Sequence, residues 1–78
     1  MGRLYRLLAK VLKTDENDIN EQSSPENISS WDSFNGLLLV DALEKEFNIS
    51  FTMEEIMDVK NVKDIKRHLK NHGVNPNE

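Results

Sequence analysis

The chain has 78 residues, which suffices for one small domain but not for a large catalytic cleft. It contains no cysteine, so disulfides, thiolate zinc sites and thiol nucleophiles are excluded, and the fold must depend on an apolar core. Fourteen acidic residues against ten Lys and Arg give a net charge of -4. This balance disfavours nucleic acid as a partner and favours basic protein surfaces.

The first predicted element is an amphipathic helix over about residues 2–13. Its apolar positions recur at helical spacing and are Leu4, Leu7, Leu8, Val11 and Leu12. The following segment, residues 14–32, is rich in Asp, Asn, Ser and Glu and contains Pro25, which predicts a long loop. Ile19 and Ile28 are expected to tie this loop to the core.

A second helix is predicted over about residues 33–47. At about 100° per residue, one side is expected to be buried. That side carries Leu37, Leu39, Val40, Leu43 and Phe47, with Gly36 in the same arc. Leu38 lies nearly opposite, beside charged residues, and is predicted to face solvent. It is either an incidental exposed leucine or part of a partner-binding face, and the pattern leaves both interpretations open.

Two further helices are predicted after residue 50. Thr52 and Glu55 fit a capping box that starts a short third helix, which ends near Asp58. Asn61 is expected to cap a last helix that ends at the Asn71-His72-Gly73 sequence, with residues 74–78 as a disordered tail. The apolar positions of the last helix are Val62, Ile65 and Leu69. The predicted fold is all-α, a bundle of three main helices plus one short helix.

The most informative residue is Ser33, which follows Asp32 and opens the second helix. A hydroxyl at the first turn of a helix lies near unpaired backbone N–H groups and the positive end of the dipole, which favours a phosphodiester there. The alternative is that Asp32 or Ser33 only caps the helix, a common use of these residue types. The local sequence does not decide between the two.

Other chemistry has little support in the sequence. His68 and His72 lie on one helix face, but no third ligand is evident, so no metal site is predicted. Ser33 lacks the orienting base and the Gly-rich turn of a hydrolase nucleophile, so the chain is not expected to be an enzyme. The longest apolar run, Leu37–Val40, is far shorter than the ~20 residues that cross a bilayer. With no secretion signal evident, a cytoplasmic monomer without a membrane partner is expected.

The stretch Trp31-Asp32-Ser33-Phe34, with the helix after it and the Asn48-Ile49-Ser50-Phe51-Thr52 sequence, resembles the acyl carrier protein family. The long loop, the serine at the start of helix two and the short third helix also match that fold, and the resemblance makes residues 1–78 a single carrier domain. It implies that Ser33 carries 4'-phosphopantetheine from coenzyme A, with Asp32 as the motif acid that assists the transferase. The arm would hold an acyl or aminoacyl group as a thioester.

Departures from the family pattern predict a specialised carrier of a dedicated pathway. The usual motif has Leu at position 34, and housekeeping fatty acid carriers generally have acidic residues at positions 35 and 38. The expected partners are a phosphopantetheinyl transferase, an acyl or aminoacyl ligase and a downstream transferase or synthase. The predicted partner-binding residues are Phe34, Asn35, Leu38, Asp41, Glu44 and Lys45. The alternative function is a small helical interaction module in which Ser33 only caps a helix; a DNA-binding helix-turn-helix is disfavoured by the acidic charge.

Overall fold

The computed structural model describes residues 2–75 and is all-helical over that range. The helices are α1 (Arg3–Leu12), α2 (Ser33–Phe47), α3 (Met53–Asp58) and α4 (Val62–Asn71), and a 3₁₀ turn covers Glu16–Asp18. The predicted all-α fold is confirmed, with the long connection and the short third helix in the expected places. None of the helices in the described range is long and apolar enough to cross a membrane.

The starts of α3 and α4 are set by side-chain caps. Thr52 and Glu55 form a complete capping box, because the Glu55 N–H donates to the Thr52 hydroxyl at 3.1 Å and the Thr52 N–H donates to Glu55 Oε1 at 2.9 Å. The Asn61 side chain accepts from the Asp64 N–H at 2.9 Å. Both caps confirm the predicted helix starts.

A single core is built by α1, α2 and α4. Its helical members are Leu4, Leu8, Leu12, Leu39, Leu43, Phe47, Val62, Ile65 and Leu69. The connection between α1 and α2 adds Ile19 and Trp31, and Ile28 packs against the core from a partly buried position. The predicted anchoring of the loop by Ile19 and Ile28 is therefore confirmed. Helix α3 contributes no buried side chain.

The prediction that Leu37 is buried is wrong, because 64% of this residue is exposed. Leu37 lies about 120° around α2 from Leu43, at the edge of the predicted arc. No helix covers it there, and it lines a cavity instead. Leu38 is 45% exposed, as predicted.

The α1–α2 loop, residues 13–32, is held by hydrogen bonds to the ends of two helices. The N–H of Val62, the first residue of α4, donates to the Ser23 carbonyl at 3.0 Å, and the next N–H, that of Lys63, donates to Glu21 at 3.0 Å. The Ser30 hydroxyl donates to the carbonyl of Leu12 at the end of α1, at 2.5 Å. The loop thus supplies partners for helix-end groups that have none within their own helices.

The chain beyond α4 continues to pack as far as Val74. The Val74 N–H donates to the Leu69 carbonyl at 2.9 Å, and its side chain lies against the core. Gly73 precedes it with φ of 82°, a conformation that favours glycine at the end of a helix. Val74 thus packs against the core, and residues 76–78 of the predicted tail lie outside the described residues.

Burial on α2 predicts different costs for two leucine truncations. Leu43 is 2% exposed, so Leu43→Ala should lower the free energy of unfolding by about 2–5 kcal/mol. Leu37→Ala, the matched control on the same helix, should change it by less than about 1 kcal/mol. Equilibrium denaturation of the two variants measures both values. Equal midpoints for the two variants would contradict this assignment of the core.

Candidate functional site

Ser33 is the first residue of α2, and its side chain is exposed. Asp32 precedes it as the N-cap, and Asp32 Oδ1 accepts from the Asn35 N–H at 2.9 Å. This bond satisfies one of the unpaired N–H groups in the first turn and fixes the direction in which α2 starts. The Ser33 hydroxyl is thus presented to solvent at the positive end of a helix of 15 residues.

Hydrogen bonds hold the chain in place on both sides of Ser33. The Asn35 side-chain amide donates to the Ser30 carbonyl at 2.7 Å, and the Ser30 hydroxyl in turn bonds to α1. Trp31 is buried and packs beside Gly36. A Cβ added to Gly36 would lie 3.7 Å from the indole Nε1 atom of Trp31. The serine therefore lies where the loop, α1 and α2 meet.

A cavity of about 430 Å³ lies beside Ser33. Its walls are mainly apolar and include Trp31, Leu37, Val40, Leu43, Ile56 and Val59. Asp32 and Ser33 also line it, and both are exposed, so they lie at its mouth. Helix α2 forms one wall and α3 forms the facing part, because Ile56 belongs to α3 and Val59 follows it directly.

Polar contacts join α3 to α4. His72 Nε2 lies 2.8 Å from Glu55 Oε2, and His68 Nε2 lies 3.0 Å from Asp58 Oδ2. Arg67 Nη2 donates to the same Asp58 oxygen at 2.7 Å. The structure thus places carboxylates beside both histidines, which the sequence did not reveal. Within residues 2–75, no group of His, Asp and Glu could hold a metal ion.

These contacts shift the acidity of both carboxyl groups. The Thr52 backbone N–H, with a further contribution from His72, lowers the pKa of Glu55 against the opposing effect of burial. The Arg67 guanidinium, followed by His68, lowers the pKa of Asp58. Both carboxyl groups therefore stay ionised down to a lower pH than an ordinary carboxyl group. Their contribution to the α3–α4 contact is lost only when the pH falls below that range.

The six predicted partner-binding residues fall into two groups in the structure. Phe34 and Leu38 are exposed, and Asp41 and Lys45 form an exposed ion pair at 3.0 Å. Asn35 and Glu44 are only half exposed and bond to loop backbone: Asn35 to Ser30, as described, and Glu44 Oε2 to the Phe51 N–H at 2.6 Å. Asn35 and Glu44 thus hold the structure together around the site.

Sequence reasoning missed three exposed apolar side chains near the cavity. The helical pattern places Leu37 in the core and gives Met53 and Met57 of α3 no role, yet all three are mostly exposed. The spacing of Met53 and Met57 places them on one helix face, which is the signal that could have identified them. Together with Phe34 and Leu38 they are the large apolar side chains exposed on α2 and α3.

Comparison with known proteins identifies the family. The model of the phosphopantetheine attachment site family matches residues 2–69. The acyl carrier protein homolog of Mycoplasma genitalium is 40% identical over 60 residues, which cover 77% of this chain and 68% of that protein. The chain therefore belongs to the acyl carrier protein family, and its cofactor is covalent 4'-phosphopantetheine. Membership implies interaction with a phosphopantetheinyl transferase and with biosynthetic enzymes.

Two substitutions of Asp32 should separate its capping oxygen from its charge. Asp32→Ala removes the acceptor of the Asn35 N–H and should lower the free energy of unfolding by about 0.5–2 kcal/mol, whereas Asp32→Asn keeps an acceptor and should change it by only a few tenths, about 0.3 kcal/mol. Equilibrium denaturation measures both changes. The same midpoint for Asp32→Ala and the parent would mean that this cap does not stabilise α2.

Proposed function

We propose that the Ser33 hydroxyl is the attachment point of 4'-phosphopantetheine and that the protein carries an acyl group between enzymes. The observation that carries this proposal is the exposed hydroxyl of Ser33 at the start of α2 and at the mouth of an apolar cavity. Ser23 is buried, Ser30 is bonded to α1, and none of the other serines begins an α-helix of the described residues.

The residues around Ser33 fit the group. The first turn of α2 offers unpaired N–H groups and a positive dipole end, which favour the negative charge of a phosphodiester. Asp32 holds this turn in place through Asn35 and, by resemblance to the family motif, assists the transferase with its metal-bound substrate. When attached, the arm supplies the thiol that holds the carried group as a thioester.

The cavity favours an acyl cargo over an aminoacyl cargo. Leu37, Val40, Leu43 and Ile56 offer apolar walls, and each buried methylene of an alkyl chain gains about 0.8 kcal/mol. A charged amino group would lose its hydration there without gaining a partner, except near Asp32 at the mouth. The protein's own contribution is thus to present the arm and to shield the cargo from water.

Attachment at Ser33 predicts one mass change. The unmodified chain, incubated with coenzyme A and a broad-specificity phosphopantetheinyl transferase, should gain the mass of one arm, and Ser33→Ala should gain none. Ser29→Ala is the control, because Ser29 is exposed but lies in the α1–α2 loop away from a helix start. Intact mass spectrometry reads the result. An arm mapped to Ser29, Ser30 or Ser50, or no arm at all, would contradict the proposal, and the latter would favour the interaction module.

The exposed surface around Ser33 supports a specialised set of partners. We propose that Phe34 and Leu38 contact an acyl ligase and a downstream transferase or synthase through an apolar recess on each enzyme. Asp41 and Lys45 neutralise each other, so charge contributes less to this face than in a housekeeping carrier. We further propose that the chain acts as a cytoplasmic monomer, binds no nucleic acid and performs no catalysis itself.

Leu38→Glu should shift the choice of partner. The holo protein should be a poor substrate for general fatty acid synthesis enzymes, since Leu38 would leave basic groups on those enzymes without an acidic partner. The substitution should improve that activity and weaken loading by the cognate ligase. Asn35→Asp is less suitable, because it removes the amide that donates to Ser30. Gln22→Glu, an exposed loop position with the same change of charge, is the matched control. Loading assays with both enzyme systems give the measurement, and efficient use of the parent by the general system would contradict the specialised role.

A further inference from the structure

Helix α3 forms part of the cavity wall but has little apolar attachment to the rest of the protein. It has six residues and no buried side chain. Ile56 is only partly buried and faces the cavity, while Met53 and Met57 are exposed. A helix this short is not stable by itself, so its position depends on contacts to neighbouring elements.

Those contacts come from one turn of α4 and from its C-cap, His72. His72 meets Glu55 in the first turn of α3, and His68 meets Asp58 at its last residue. Arg67 also binds Asp58. The two histidines therefore contact α3 near both of its ends.

Both ring nitrogens of His68 face carboxylate oxygens of α3. His68 is 6% exposed, and its Nδ1 atom has no hydrogen-bond partner among the described residues. Nδ1 lies 3.6 Å from Glu55 Oε2, while Nε2 lies 3.0 Å from Asp58 Oδ2. A neutral ring that donates to Asp58 would turn an unprotonated nitrogen toward a carboxylate oxygen. With a proton on each nitrogen, both face an anion.

We propose that His68 and His72 are positioning residues that hold α3 against α4, more firmly when the imidazoles are protonated, and thereby keep the cavity wall in place. This inference rests on the proposed function, because the cavity matters as the shelter of the carried group. It adds to that function a dependence of cargo shielding on pH.

The charged groups around the two histidines set the direction of this dependence. From α3 they are Glu55 and Asp58, and from α4 they are Arg67 and Asp64, which bind each other at 3.2 Å. The ring of Phe51 meets His72 edge-on at 5.4 Å and is uncharged.

The pKa of Glu55 and that of Asp58 are both lowered, so these carboxylates stay charged across the interval, about pH 5–8, in which imidazole titrates. Lowering the pH from 8 to 6 therefore adds positive charge beside fixed negative charge. The attachment of α3 strengthens over this interval, and it is lost at the lower pH at which the carboxylates take up protons.

The test measures probe binding to the unmodified chain at two pH values. N-phenyl-1-naphthylamine is an uncharged apolar fluorophore, and energy transfer from Trp31, the single tryptophan and a cavity residue, reports its binding there. The wild-type chain should bind it about threefold more tightly at pH 6 than at pH 8, as expected for partly exposed ion pairs. Equal affinity at the two pH values would overturn the proposal.

Variants distinguish the histidines from other titrating groups. The chain has two histidines, so His68→Gln with His72→Gln leaves none, and the affinity ratio should fall to about one. Arg67→Gln is the matched control: it removes a cation from Asp58 that does not titrate in this range, so the ratio should persist. His72→Gln, an exposed change that should fold normally, should reduce the ratio by itself. A ratio that persists without histidines would refute the proposal.

The outcomes also separate this inference from the proposed function. Probe binding uses the chain without its arm, so it does not depend on Ser33. A pH-dependent cavity in a chain that accepts no arm would refute the carrier site alone. Attachment at Ser33 with pH-independent probe binding would refute the role of the histidines alone.

Discussion

The first N–H groups and last carbonyls of a helix need partners from outside the helix, and in a small domain those ends lie close to the core. The α1–α2 loop supplies such partners. Ser30 donates to Leu12 at the end of α1, and Ser23 accepts from Val62 at the start of α4. The same loop leads directly into Ser33. The position of the serine therefore depends on backbone groups at helix ends, and the long connection is needed to reach them all.

The core is completed by three helices, and this leaves α3 in a peripheral position. Because α1, α2 and α4 fill the interior, α3 buries no side chain and instead borders a cavity. Its contacts to α4 run through Glu55 and Asp58, whose partners are charged or can become so. Displacing such a helix costs much less free energy than disturbing the core. Because the buried apolar residues lie on the other helices, the cavity wall formed by α3 is the one most easily displaced.

The surface beside Ser33 carries an ion pair and exposed apolar side chains. Asp41 and Lys45 neutralise each other, while Phe34 and Leu38 stay exposed in a chain whose overall charge is negative. Long-range charge attracts many basic partners, whereas apolar groups discriminate by shape at short range. The proposed choice of partners rests on these apolar groups.

Local patterns predicted the helices closely, because caps and periodicity act within a few residues: α2 begins after Asp32 and ends before Asn48, whose left-handed conformation stops it. The order of elements and the exposed serine also follow from the sequence by itself. Only the tertiary structure decided that Leu37 faces a cavity, that Glu44 binds the Phe51 N–H and that α4 grips α3. A helical wheel gives the direction of a side chain but not what lies opposite, and partners distant in sequence meet only when the chain packs.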